Sequence, residues 1–149
     1  LYIVRNLNNA VAYMCYSSGS LKVAAGPHAM TPRAYTWVAI IGAIIFSTLS
    51  VQDLADTVGD AAKGRRTSPL IMGDSFSRWE SAIPILLWSI FCPVFWDVTW
   101  LAYVFALGVG IWLAFRIVHF RDVASDKVSW NTWCLWLGMM YALPLCAKN

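Results

Sequence analysis

Three carboxylates and three cations crowd one short run, Asp53-Leu-Ala-Asp56-Thr-Val-Gly-Asp60-Ala-Ala-Lys63-Gly-Arg65-Arg66-Thr67. Asp53, Asp56 and Asp60 stand at i, i+3 and i+7, which is one face of a helix if the apolar stretch before them continues helically. Three ionised carboxylates held that close repel one another unless a cation neutralises them. Mg2+ suits the set, because it takes hard oxygen ligands, keeps waters and completes its shell with substrate phosphate. Lys63, Arg65 and Arg66 follow within reach of the non-bridging oxygens of a diphosphate. Acids for a metal beside cations for phosphate are the equipment for drawing a diphosphate leaving group away from carbon. The plainer alternative is a solvated loop with charges of both signs. Against it stands the position of the run, directly after an apolar stretch long enough to cross a membrane, where charges are costly and mark function by default.

The elements that must position this run are apolar. Of 149 residues, 59% are hydrophobic and only 13% charged, against about a quarter charged in soluble domains. The chain therefore reads as an integral membrane protein. Nine Trp, seven Phe and six Tyr suit interfacial belts. A net charge of +3 on such a chain gives no reason to invoke nucleic acid. Cys15, Cys92, Cys134 and Cys146 lie in apolar segments without CxxC spacing and read as small hydrophobes. With His28 and His119 as the only histidines, a His-based metal cluster lacks material.

A window of about 19 residues, matched to a hydrocarbon core of roughly 30 Å, predicts five spans, at about 7–26, 34–52, 81–96, 98–118 and 129–146. Residues 53–80 are then an aspartate loop, and residues 1–149 form a single, partial, all-α transmembrane domain. Pro84 and Pro93 should kink the third span or bend its end. Gly108 and Gly110 in the fourth should let helices approach closely. Eight of the eleven Lys and Arg (Arg5, Lys63, Arg65, Arg66, Arg78, Arg116, Arg121 and Lys127) fall on the aspartate side, which the positive-inside rule places in the cytoplasm. The endoplasmic reticulum would suit a eukaryotic protein of this kind.

The stretch Gln52 to Pro69 resembles the second aspartate-rich motif of the UbiA superfamily of intramembrane prenyltransferases, whose order is D-x-x-D-x-x-G-D-x-x-x-G-x-x-T-x-P. Asp53, Asp56, Gly59, Asp60, Gly64, Thr67 and Pro69 occupy its fixed positions. Five spans with the motif after the second correspond to the C-terminal part of a nine-helix bundle. The resemblance implies a central cavity in which a prenyl group passes from an isoprenoid diphosphate to a lipophilic acceptor, aromatic rings included, using Mg2+. It implies Asp56 and Asp60 as metal ligands with Asp53 in support, and Lys63, Arg65 or Arg66 as diphosphate contacts.

Two departures from the pattern matter. Val58 stands where many members carry Glu. More important, residues 1–52 contain no Asp or Glu, so the first motif of the family, N-D-x-x-D-x-x-x-D, is not among them. The chain is thus expected to be a fragment and inactive by itself. Two rival functions stay open. On the same scaffold, a membrane terpene cyclase would let the cation be captured by the substrate's own double bond. Outside enzymology, a transporter or a non-catalytic partner subunit would bind cations without cleaving a diphosphate.

Overall fold

The computed structural model describes residues 2–148. Its elements in chain order are α1 (Tyr2–Ala25), α2 (Pro32–Thr48), α3 (Val51–Leu54), α4 (Thr57–Ala62), α5 (Ser68–Met72), α6 (Asp74–Trp96), α7 (Trp100–His119) and α8 (Val123–Ala142), with a 3-10 turn at Leu143–Cys146. Among the described residues the only β pairing is an isolated antiparallel bridge between Val98 and Ala147. The all-helical expectation agrees with this.

Five helices are long: α1, α2, α6, α7 and α8. By length and composition, three segments among the described residues can cross a membrane, Pro32–Leu54, Asp74–Trp96 and Trp100–His119. The local signals explain several boundaries. Thr31 caps α2 by accepting a hydrogen bond from the Ala34 N–H at 3.2 Å, with Pro32 in the first turn. Asp122 caps α8 in the same way through the Ser125 N–H at 2.9 Å. α6 runs unbroken through Pro84 and Pro93 and ends at Asp97 in the left-handed region, φ 48°.

The segment 53–80 is not an open loop. It folds into α3, α4, α5 and the first turns of α6. The start of α6 at Asp74 rather than near 81 has an electrostatic cause. Arg78 is fully buried and donates to both Asp126 oxygens at 2.8 Å, to Asp74 at 2.9 Å and to the carbonyl of Ile117 at 2.7 Å. A neutralised, hydrogen-bonded cation can sit inside the bundle, and it ties α6 to the end of α7 and the start of α8.

In the interior, α2 packs between α1 and α6, α7 lies against α6, and α8 returns from α7 to touch α3. Ile41, Ile44 and Ile45 of α2 and Ile85, Leu113 and Ile117 of α6 and α7 form the apolar centre. Indole–hydroxyl bonds cross it. Trp133 donates to Thr48 and Trp136 to Ser89, both at 2.9 Å, and Trp88 donates to Ser47 at 3.0 Å. Each gives an indole N–H a partner where water is excluded, worth roughly 0.6 kcal/mol in membrane helices. Gly110 does bring two helices together, since a Cβ there would meet the Cβ of Ser89 at 2.7 Å; Gly108 has open space.

Candidate functional site

The expected single face of three aspartates does not form, because α3 ends at Leu54 and the chain leaves helical geometry at Asp56, φ −119° and ψ 21°. Asp53 lies in α3, Asp56 is the residue that starts α4, and Asp60 sits one turn further on, its N–H bonded to the Asp56 carbonyl at 2.8 Å. The break between α2 and α3 is held from outside. Asn6, buried on α1, donates to the Ser50 hydroxyl at 3.2 Å. The breaks nevertheless deliver all three carboxylates to one place. A cavity of about 730 Å³ is lined by Tyr2 and Arg5 of α1, by Gln52, Asp53, Asp56 and Asp60, by Arg65, Arg66 and Thr67, and by Trp130 of α8.

Two glycines shape this wall. Gly64 adopts φ +65°, a left-handed turn that an L side chain would strain. The turn brings Arg65 back to Asp60, where the Arg65 N–H donates to the Asp60 carbonyl at 2.9 Å and its guanidinium to the Asp60 carboxylate at 3.0 Å. Gly59 lies under Asp56, and a Cβ there would overlap the Asp56 carboxylate.

The three aspartates have different partners. Asp53 is buried and gives both oxygens to Arg5, at 2.8 and 2.5 Å. Asp60 is equally buried, with one oxygen on Arg65. Asp56 is exposed and makes no ion pair among the described residues. Arg5 also donates to the side-chain oxygen of Asn6 at 3.1 Å, so one short stretch of α1 orients both the guanidinium and the α2–α3 break.

Among the described residues no group of three Asp, Glu, His or Cys side chains stands ready to hold a metal ion. Both Asp53 oxygens accept from Arg5 in this structure. Asp56 and the second oxygen of Asp60 remain, and the donor chemistry fits Mg2+, which is commonly held by one or two carboxylates plus phosphate oxygens and water. Of the expected phosphate contacts, Arg65 and Arg66 line the cavity and Lys63 does not; it is exposed after the last turn of α4.

Reading of the sequence alone missed Tyr2, Arg5, Thr67 and Trp130 as wall residues. For Arg5 a signal existed, a cation in the first turns of a largely apolar helix. Thr67 is a fixed position of the motif. Nothing local marks Trp130 out from eight other tryptophans.

The model of the UbiA prenyltransferase family matches residues 7–143. Somaliensene A/B synthase of Streptomyces somaliensis is 29% identical over 156 residues, covering 99% of this chain and 49% of that protein. Fumagillin beta-trans-bergamotene synthase of Aspergillus fumigatus is 28% identical over 146 residues, covering 96% of this chain and 50% of that protein. The chain spans about half the length of these two relatives. No solved structure matches it.

Proposed function

We propose, for a chain that belongs to the UbiA prenyltransferase family, that its cavity serves the ionisation of an isoprenoid diphosphate within the membrane. The observation that carries this reading is the convergence of Asp56, Asp60, Arg65 and Arg66 on one cavity beside apolar helices. Asp56 and Asp60 are the residues that would hold Mg2+, which when bound supplies positive charge against the departing diphosphate.

The protein's own groups do the remaining work. Arg65 and Arg66 bind phosphate oxygens, and Asp60 fixes the direction of Arg65 through two hydrogen bonds. Asp53 orients Arg5 toward the same cavity. The carbon–oxygen bond of the allylic diphosphate breaks with its electron pair leaving on the diphosphate. Tyr2 and Trp130 line the same wall, and aromatic side chains are of the kind that stabilise an allylic cation.

Two fates of that cation follow the same ionisation. In one, a double bond of the substrate captures it and a proton is lost from a neighbouring carbon, closing a ring. In the other, an electron-rich, lipophilic acceptor captures it and loses its own proton. Both relatives are named as synthases of a product with no acceptor in the name, which favours self-capture. Transfer to an acceptor is the second reading, supported by the family's description. The count of basic residues supports a cytoplasmic aspartate side.

The test is to supply membranes containing the protein with farnesyl or geranylgeranyl diphosphate alone and analyse the extract by gas chromatography and mass spectrometry. A cyclic hydrocarbon that depends on Asp60 supports self-capture. Product only after addition of an aromatic acceptor supports transfer. Intact diphosphate in both cases, from a protein that also binds none, would overturn the ionisation reading.

A further inference from the structure

Two residues of the cavity wall carry a buried polar atom without a hydrogen-bond partner among the described residues, Thr67 at Oγ1 and Arg5 at Nε. Thr67 is only 2% exposed. A hydroxyl in that position is costly unless something meets it. Its surroundings make it an exception. The next residue, Ser68, shares hydrogen bonds with Ser77 at 2.8 Å and Glu80 at 2.5 Å. Thr31, at the corresponding capping position of α2, uses its hydroxyl to accept an N–H, whereas Thr67 precedes α5 and caps nothing with its side chain.

The wall has a gradient of exposure. Arg65 is 59% exposed and Arg66 is exposed as well, whereas the unpaired atoms of Thr67 and Arg5 are buried. The exposed arginines meet an anion first. The buried donors come from different parts of the chain, α1 and the residue before α5, and they serve only a ligand with oxygens left over after the arginines are satisfied.

We infer that Thr67 and Arg5 form an inner phosphate subsite that receives the second phosphoryl group of a diphosphate, so that the site prefers a diphosphate to a monophosphate. This rests on the diphosphate reading of the cavity given above. Thr67 contributes a neutral donor, which adds discrimination without adding charge. Arg5 contributes Nε–H, while Asp53 holds the two terminal nitrogens and fixes the plane of the guanidinium.

The experiment is isothermal titration of the chain in lipid nanodiscs with inorganic pyrophosphate and with inorganic phosphate, in Mg2+, for wild type, Thr67→Val and Thr67→Ser. The subsite predicts that wild type prefers pyrophosphate and that Thr67→Val weakens pyrophosphate about tenfold, as loss of one hydrogen bond to a charged group implies. It also predicts that phosphate affinity stays within about twofold, that Thr67→Ser restores binding, and that the ligand-free valine variant melts no lower than wild type, since it removes an unpaired polar atom. Wild-type pyrophosphate affinity in Thr67→Val overturns the subsite and leaves the cavity reading intact. Equal loss of both anions also overturns the discrimination. A wild-type chain that binds neither anion overturns the diphosphate reading, and the subsite with it.

Discussion

Arg5 and Asp53, 48 positions apart, meet in a two-point ion pair that fastens the first helix to the start of the aspartate motif. Asp53 is buried, so its carboxylate depends on that single guanidinium. Arg5→Gln should leave it unpaired and destabilise the fold by about 2 kcal/mol. Replacing both, Arg5→Met with Asp53→Leu, should recover part of the loss, because a matched apolar pair avoids desolvating two charges. Thermal unfolding in detergent measures both. Equal stability of Arg5→Gln and wild type would remove the pair from the account.

Arg78 makes a stronger claim. Its buried guanidinium joins Asp126, Asp74 and the carbonyls of Ile117 and Phe120. Arg78→Met should cost about 3–5 kcal/mol, since it strands the buried Asp126 carboxylate. The double variant Arg78→Met, Asp126→Leu should be markedly more stable than the single one. Denaturant titration of both variants tests this, and a mild effect of Arg78→Met would show that α6 and α8 do not depend on the clamp.

Gly108 and Gly110 face opposite outcomes although they stand two residues apart in α7. Gly110→Ala pushes a methyl against Ser89 and should destabilise by about 1–3 kcal/mol. Gly108→Ala meets nothing and should stabilise by about 0.5–1 kcal/mol through the helix preference of alanine. Melting temperatures that move in the same direction for both would contradict the packing of α6 on α7.

The cap of α8 sets a pH dependence. The Ser125 side chain and N–H hold the Asp122 carboxyl below its ordinary value of 3.8. A carboxyl with a lowered folded pKa stabilises fully above its unfolded pKa and loses that contribution as pH falls through the folded value. The gap in melting temperature between wild type and Asp122→Ala should therefore be constant near neutral pH and close in acid below the ordinary carboxylate range. A gap that widens in acid has the wrong sign for this cap.

The aspartate motif was legible because charges stand out against an apolar chain. Gly64 does turn the chain, and Arg65 and Arg66 do reach the cavity. What could not be read was tertiary. The junction of α3 and α4 at Ala55 and Asp56 carries no Gly or Pro to announce a break, so a continuous face of three aspartates was the natural local inference. For the same reason α6 looked shorter than it is. Hydropathy counts Asp74, Arg78 and Glu80 as charges to exclude, and only the folded chain shows that Arg78 pairs with Asp126 and Asp74 and that Ser68 donates to Glu80. Lys63 and Arg65 looked equivalent in sequence, but Asp60 selects Arg65 by gripping it.

The measurement that bears most directly on the site is the Mg2+ dependence of binding of a non-cleavable isoprenoid thiodiphosphate to the chain in lipid nanodiscs. Binding should be saturable in Mg2+ and lost in EDTA. Asp56→Asn and Asp60→Asn should each weaken binding by at least about tenfold, and Lys63→Ala should leave it within about twofold. Binding that is indifferent to Mg2+, or that survives loss of both aspartates, would contradict it.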